Sequence, residues 1–186
     1  GCGTYFSPAF IIKSSDSGET WQHIDMSAYA TALVEVMFVD ENVGYVAGAN
    51  ANGGIILKTT DGGVTWTPIF NSGIAGEYVW KLQALASNSD VIFGSVEANA
   101  PNNGKMIRSL DAGVNWIAKE VPFTSVQAVG FLTETHGWMG GYTSTIGTNF
   151  PFLETNDGGD TWTDAGVGGN VNRIFFRSSS LAYASG

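Results

Sequence analysis

The stretch KTTDGGVTW, residues 58–66, is one of four related segments in this chain of 186 residues. The other three are KSSDSGETW at 13–21, RSLDAGVNW at 108–116 and ETNDGGDTW at 154–162. Their central aspartates lie 45, 50 and 46 residues apart. A period of this length is typical of one four-stranded blade of a β-propeller, so the four segments indicate a repeat protein.

Short runs of alternating apolar and polar residues, bounded by turn residues, fill the sequence between these segments. Residues 32–70 contain four such runs, which we name A, B, C and D in chain order, and residues 79–121 and 125–166 repeat the order. No stretch shows helical periodicity. We therefore predict an all-β fold, a β-propeller of four-stranded antiparallel blades in which the quoted segments form the turns between strands C and D.

The two ends of the chain each supply half of a blade. Residues 1–25 provide the end of a B run followed by C and D, whereas residues 171–186 provide A and B. Three full blades and two halves could close as a four-bladed ring, pair with a second copy, or belong to a longer array. We favour the longer array, because the division runs through a strand. Residues 1–186 are thus expected to be a slice of a larger propeller, with self-association as another way to complete the ring.

Each repeated segment has an Asp, a Gly two residues later and a Trp five residues later. The glycine supplies the positive φ that a tight turn requires, and the aspartate accepts hydrogen bonds from turn amides, helped by a Ser or Thr two residues before it. On strand D the indole can cover the seam between sheets. The residues for which we predict this structural role are Asp16, Gly18, Trp21, Asp61, Gly63, Trp66, Asp111, Gly113, Trp116, Asp157, Gly159 and Trp162.

The pattern S/T-x-D-x-G-x-T/N-W resembles the Asp-box repeat, also called the bacterial neuraminidase or BNR repeat, of β-propellers. The runs MFVDENVGYVAG at 37–48 and VGFLTETHGWMGG at 129–141 are most similar to the photosystem II stability and assembly factor family. This resemblance implies boxes on the propeller rim, away from any active face, and a protein partner. The binding face of that family is rich in arginine, whereas this chain is acidic and has only three arginines.

Composition excludes several classes of function. Eight Lys and Arg residues against seventeen Asp and Glu give a net charge of −9, which opposes binding to nucleic acid. No apolar run approaches the about 18 residues of a transmembrane helix, so we expect no transmembrane segment. Gly1-Cys2 is similar to the junction at which bacterial lipoproteins are cut, but we prefer to read Cys2 as a strand residue aligned with Ala47.

We also expect no metal and no cofactor. Cys2 is the only cysteine, which rules out an intrachain disulfide and a thiolate cluster. One Asp and one hydroxyl per turn fall short of the about six oxygens that Ca²⁺ requires. His23 and His136 have no second His or Cys at metal-binding spacing, so we interpret them as packing or surface residues.

A glycoside hydrolase, sialidase-like or xyloglucanase-like, is the alternative function. Sialidases of this repeat type hold the substrate carboxylate with three arginines from different blades. Here Arg108 adjoins a box, and Arg173 and Arg177 share one strand, so we do not expect a sialidase site. A two-carboxylate glycosidase stays open, because acidic residues fall in or beside loops opposite the boxes, although solvated carboxylates are the preferred reading. These residues are Glu77, Glu97, Glu120 and Asp164.

The leading hypothesis is a non-catalytic, extracytoplasmic scaffold, secreted, periplasmic or cell-surface, that binds a protein or carbohydrate partner. In a propeller the B–C and D–A loops share one face, and these are the variable parts of the repeat. They are residues 49–54, 71–78, 97–104, 122–125 and 143–150. Aromatic and amide side chains enrich this face, Phe150 among them, although core packing explains the aromatic residues equally well.

The starts of the A strands line the central channel of a propeller, and the repeat register places Val34, Lys81, Gln127 and Asn172 there. Polar side chains at three of these positions suit either a bound ligand or a water-filled channel. The candidate binding residues are Tyr78, Trp80, Lys81, Asn102, Asn103, Gln127, Tyr142 and Asn172.

Overall fold

The computed structural model describes residues 8–142 and 151–186 of the chain. Cys2 and the loop 143–150, which includes Phe150, therefore lie outside the described residues. The described part contains sixteen β-strands and no helix, which confirms the predicted all-β class. The chain divides into two compact units, Gly1–Val79 and Trp80–Gly186.

The first unit holds a two-stranded and a four-stranded antiparallel sheet. The strands are β1 (Phe10–Lys13) paired with β2 (Gln22–Asp25), followed by β3 (Ala32–Phe38), β4 (Gly44–Asn50), β5 (Gly53–Thr59) and β6 (Thr67–Asn71) in the order β3-β4-β5-β6. The inner strand β4 is buried along nearly its whole length. An apolar cluster in this unit is formed by Ala9, Met26, Ala30, Leu33, Val46, Ile55, Leu57 and Trp66, and Ile11 of β1 and Ile24 of β2 pack against it.

Pro68 shows why β6 is the outer strand of its sheet. It lies opposite Leu57 beside a register shift, at the edge of the order β3-β4-β5-β6. Proline has no backbone N–H to donate to a further strand, and it is tolerated at edges and bulges for that reason.

The second unit holds two four-stranded sheets and a final hairpin. The strands are β7 (Tyr78–Leu85), which starts at the end of the first unit, β8 (Asn88–Glu97), β9 (Lys105–Ser109), β10 (Ile117–Glu120), β11 (Val126–Phe131), β12 (Gly137–Gly141), β13 (Pro151–Thr155), β14 (Thr163–Gly168), β15 (Arg173–Ser178) and β16 (Leu181–Ser185). The first sheet has the order β10-β9-β8-β7, the second has the order β11-β12-β13-β14, and β15 and β16 form the hairpin.

One apolar cluster joins the two four-stranded sheets of the second unit. Its members are Leu85, Val91, Phe93, Met106, Val121, Val126, Val129, Phe131, Met139 and Leu153. At its centre the rings of Phe93 and Phe131 stack with centroids 3.7 Å apart. Adjacent sheets thus pack face to face through interdigitated apolar side chains, as they do in a propeller.

The four segments quoted above form what we call the aspartate turns, and Asp61 illustrates their hydrogen bonding. Its carboxylate accepts hydrogen bonds from Val64 N at 3.0 Å, Thr65 N at 2.9 Å and Thr65 Oγ1 at 2.6 Å. Thr59 Oγ1 donates to Asp61 at 2.7 Å and accepts from Gly63 N at 2.8 Å. The turns at Asp16, Asp111 and Asp157 repeat this network.

The backbone of each aspartate turn has positive φ at two successive residues, one more than the sequence pattern predicts. The glycines of the pattern, Gly18, Gly63, Gly113 and Gly159, have φ between 84° and 90°. The residue before each also has positive φ, and it is Ser17 (60°) in one turn and Ala112 (56°) in another. The extra left-handed residue lets Gly62 and Ala112 donate their N–H groups to Asn42 O and Asp90 O, both at 2.8 Å.

The tryptophans of the aspartate turns lie immediately before the D strands, not on them as predicted, since those strands begin one residue later. Trp66 is buried, whereas Trp21 is 59% exposed. Trp21 instead lines an apolar groove of about 400 Å³ in the first unit, together with Ile12, Val36 and Phe38. A tryptophan at this position therefore does not always cover a packed seam.

Candidate functional site

In each four-stranded sheet the A strand begins and the B strand ends at the same end of the sheet, measured along the strands, and we call this end the loop face. The aspartate turns connect C to D and therefore lie at the opposite end of the strands, which we call the aspartate-turn edge. In the second unit the loop face is formed by β7 from Trp80 onward, the end of β8 and the corresponding ends of β11 and β12. Candidate binding residues and aspartate turns are thus separated by the length of a strand.

Backbone hydrogen bonds tie the loops of this face together in the second unit. Ala98 N donates to Thr124 O at 3.0 Å, and Gly104 N donates to Phe123 O at 2.6 Å. Tyr142 N, at the end of β12, donates to Ser125 O at 3.1 Å. The B–C and D–A loops therefore form one frame, which limits their motion relative to each other.

Three half-buried side chains, Trp80, Glu97 and Gln127, meet on this frame. Gln127 Nε2 donates to Glu97 Oε2 at 2.9 Å, and Ser95 Oγ donates to Gln127 O at 3.1 Å. Gln127 lies at a register shift between Val126 and Ala128. Such a bulge re-aims the side chain of the extra residue, and here the side chain reaches the neighbouring sheet.

The electrostatics of this cluster follow from burial. Desolvation raises the pKa of the Glu97 carboxyl, while the hydrogen bond from Gln127 and the nearby side chain of Trp80 lower it, and the net shift is upward. Both of these partners are neutral. Within residues 8–142 and 151–186 no basic side chain forms an ion pair with Glu97. The negative charge of the ionised carboxylate is therefore not compensated by a neighbouring cation.

The structure brings two predicted residues, Trp80 and Gln127, together with one that was not a binding candidate. Glu97 was considered only as a glycosidase carboxylate, and Ser95 was not singled out. Both residues lie in a run that has the pattern of an ordinary apolar strand, so the local sequence does not indicate a binding site there. The contact between Glu97 and Gln127 spans 30 residues and joins two sheets.

The other predicted binding residues differ in exposure and in hydrogen bonding. Tyr78, Lys81 and Asn172 are half-buried, and Asn102 is exposed. Asn103 Nδ2 lies 3.5 Å from Glu120 Oε2, and Tyr142 is 36% exposed at the end of β12. Val34 lies at a register shift of β3, as Gln127 does in β11, which supports the equivalence of these two positions.

The carboxylates considered for a glycosidase have other environments. Glu77 is 1% exposed. Asp164 is exposed and accepts a 2.9 Å hydrogen bond from Gly166 N within β14. Glu120 is exposed next to Asn103, as stated above.

Arg108 and the two histidines contact neighbouring residues of the fold. Arg108 Nη1 donates to Glu134 O at 3.3 Å near the aspartate-turn edge, and Arg173 and Arg177 both lie in β15. His136 Nε2 is 2.8 Å from Glu154 Oε1, and His23 stacks on Phe10 with a centroid distance of 4.5 Å.

A second concave surface lies in the first unit. This groove, of about 290 Å³, is lined by Tyr29, Asn50, Pro68, Phe70 and Asn71, with Ile55, Leu57 and Ile69 behind them. Asn50 Oδ1 accepts from Asn52 N at 2.9 Å and Asn71 Oδ1 accepts from Gly73 N at 2.8 Å. Both amide nitrogens make only long contacts of 3.4 Å, so their N–H groups can reach further acceptors.

Two classes of feature are missing from the part of the chain that the structure describes. No three His, Cys, Asp or Glu side chains there are grouped so that they could hold a metal ion. None of these residues forms a helix with the length and apolar character needed to cross a bilayer.

The sequence is similar to one curated protein and matches no family model. Photosystem II assembly lipoprotein Ycf48 of Synechococcus sp. (strain CC9902) is 29% identical over 174 residues, covering 91% of this chain and 47% of that protein. The chain therefore spans about half the length of this relative.

Solved β-propellers have the same fold. YCF48 from Cyanidioschyzon merolae matches with a TM-score of 0.52 at 16% identity, covering 94% of this chain and 70% of that one. YCF48 bound to D1 peptide matches with a TM-score of 0.50 at 20% identity over 70% of this chain and 38% of that one. The GH74 enzyme of Niastella koreensis has a TM-score of 0.65 at 16% identity, over 91% and 31%. The predicted β-propeller fold is confirmed.

Proposed function

This chain is a β-propeller related to the Ycf48-like family, as the blade pattern predicted, and we propose that it is a non-catalytic scaffold that binds a protein partner during assembly of a larger complex. Two findings on relatives support this. The similar Synechococcus protein is an assembly lipoprotein, and one structural neighbour is bound to D1 peptide. The observation that carries the proposal for this chain is the cluster of Trp80, Glu97 and Gln127 on the loop face.

The cluster has the properties of a recognition site. Its loops are fixed by the backbone bonds between residues 98–104 and 123–125, so little conformational entropy is lost on binding. A half-buried indole, a carboxylate and an amide offer stacking, charge and hydrogen bonding within one patch. A segment of a protein partner can use all three.

We further propose an extracytoplasmic location, which the lipoprotein nature of the Synechococcus relative supports. We also propose that the aspartate turns are Asp-box turns with a purely structural role. Their carboxylates accept several hydrogen bonds from their own turns, as at Asp61. The larger ring expected from the sequence stays a prediction.

Binding of a labelled D1 peptide, measured by fluorescence anisotropy, tests the protein-partner proposal. We expect saturable binding that weakens about tenfold in Trp80→Ala and Gln127→Ala, because each removes a contact of about 1–2 kcal/mol. Trp116→Ala is the matched control, since it makes the same change at the aspartate-turn edge. Absence of binding, or equal weakening in all three variants, would contradict the proposal.

Carbohydrate binding is a second candidate function, favoured by the groove of Tyr29, Asn50 and Asn71. An exposed aromatic ring beside two amide donors is suited to a neutral sugar, which stacks on the ring and accepts hydrogen bonds from the amides. Binding of neutral oligosaccharides that is lost in Tyr29→Ala but kept in Trp80→Ala would support it.

Glycoside hydrolysis stays the alternative to a scaffold. The likeness to GH74 enzymes is at 16% identity and concerns the fold. Hydrolysis of xyloglucan, β-glucan or sialosides that is abolished by Glu77→Gln or Asp164→Asn would establish an enzyme and overturn the scaffold.

A further inference from the structure

We propose that Glu97 and Trp80 form a subsite for a cationic side chain, an arginine or lysine, of the partner. The inference rests on the proposed function, because it assigns a chemical class to the part of the partner that reaches this cluster. It predicts that the segment bound here is basic at one defined position.

The geometry of Glu97 supports a cation. Its carboxylate is half-buried and receives a 2.9 Å hydrogen bond from Gln127, a neutral amide. This bond orients the carboxylate but leaves its charge in place. A carboxylate can accept about four hydrogen bonds, so there is capacity for a donor that also brings a positive charge.

Trp80 adds a second attraction for the same group. Its side chain is half-buried and lies close enough to Glu97 to influence the ionisation of the carboxyl. An indole face attracts ammonium and guanidinium groups, and it does so more strongly when the contact is shielded from water. A carboxylate and an indole side by side therefore favour a cation over a neutral polar group.

The charge of the chain acts in the same direction. The net charge of −9 attracts a basic segment and repels an acidic one.

Solution NMR of the ¹⁵N-labelled chain with N-acetyl-arginine amide tests the subsite. We expect saturable shifts of the Trp80 indole and Gln127 side-chain amide signals at millimolar concentration. The citrulline analogue, which has nearly the same shape but no charge, should produce shifts at least fivefold smaller. Glu97→Gln should abolish the arginine effect, whereas Glu120→Gln, the same change at an exposed carboxyl, should preserve it.

Equal responses to arginine and citrulline, or an unchanged response in Glu97→Gln with a native-like spectrum, would overturn the inference. Failure of the scaffold proposal gives a different result. If the D1 peptide does not bind but arginine does, the subsite stands and the proposed D1-like partner is wrong. If the D1 peptide binds wild type and Glu97→Gln equally, the scaffold stands and the cation subsite is wrong.

Discussion

The ring of Phe131 lies edge-on to the indole of Trp162, with centroids 6.4 Å apart and an interplanar angle of 83°. Phe38 and Trp66 repeat this arrangement in the first unit at 6.3 Å and 85°. Each phenylalanine also pairs in register with a glycine of the next strand, Phe131 with Gly137 and Phe38 with Gly44. The glycine leaves room for the ring, and the ring supports the tryptophan that ends the aspartate turn.

Gly137→Ala tests this three-residue unit, because an added methyl group would collide with the ring of Phe131. We expect a loss of about 1–3 kcal/mol in the free energy of unfolding, as for other overpacked cores. Urea denaturation measures it. In the Phe131→Leu background the same change should cost much less, and equal costs in both backgrounds would show that the ring is not what excludes the methyl group.

Asp61→Ala should lower the melting temperature by several degrees, because it leaves the amides of Val64 and Thr65 without their acceptor. Hydrogen bonds from the Thr65 side chain, Thr65 N and Thr59 lower the pKa of Asp61 well below its ordinary value, and similar bonds lower that of Asp16 to about 2. The ionised carboxylate therefore stabilises the fold above the unfolded pKa of about 4.

This stabilisation should disappear as pH falls through the lowered folded pKa values. The melting temperatures of wild type and Asp61→Ala should therefore draw closer to each other as pH falls from 4 to 2. The difference at pH 7 should be the same with and without calcium. A calcium-dependent melting shift that the substitution abolishes would mean that the turn is a metal site.

The second positive-φ residue of the aspartate turns gives a reciprocal prediction. Ala112, with φ of 56°, is strained at a position where Gly62 has φ of 69°. We expect Ala112→Gly to stabilise the protein by about 0.5–1 kcal/mol, since relief of the left-handed strain exceeds the entropic cost of glycine. Gly62→Ala should destabilise it by about 1 kcal/mol or more. Chemical denaturation of both variants checks the pair, and the same sign for both would refute the argument.

Much of the fold could be predicted because its signals are local. Alternation of apolar residues gives the strands, and the fixed spacing of Asp, Gly and Trp gives the turns between C and D. The strained backbone of Ala112 and Ser17 could not be predicted in this way, because neither residue type indicates positive φ. Trp21 also follows the pattern yet is exposed, since burial depends on what packs over a side chain and not on its turn.

The candidate site was less predictable than the fold. Repeat register placed Gln127 at the start of an A strand, Trp80 flanks the equivalent position Lys81, and the structure brings the side chains of Trp80 and Gln127 to one carboxylate. Glu97 could not be identified as the centre of this cluster, because its partner Gln127 lies 30 residues away in another sheet. Contacts between sheets depend on blade packing, for which a single sequence has no local signal.

The ionised Glu97 side chain should lower the free energy of unfolding at neutral pH, and the variant Glu97→Gln tests this. Burial raises the pKa of the Glu97 carboxyl by more than its neighbours Gln127 and Trp80 lower it, so the folded chain binds the proton more tightly than the unfolded chain does. The contribution of Glu97 to the free energy of unfolding is therefore largest below the unfolded pKa of about 4.3, and it is lost as pH rises through the folded pKa. Glutamine carries no charge and avoids the decline.

We accordingly expect Glu97→Gln to melt at a higher temperature than wild type at pH 7 and at the same temperature at pH 3, as followed by circular dichroism. Lys81 on β7 and Lys105 on β9, the strands on either side of β8, are present in both proteins, so the difference isolates Glu97. Glu120→Gln should show no such gain, because Glu120 is exposed. A stabilised variant that no longer responds to arginine would mean that the carboxylate is maintained for binding at the expense of stability, whereas a destabilised one would mean that Glu97 serves the fold.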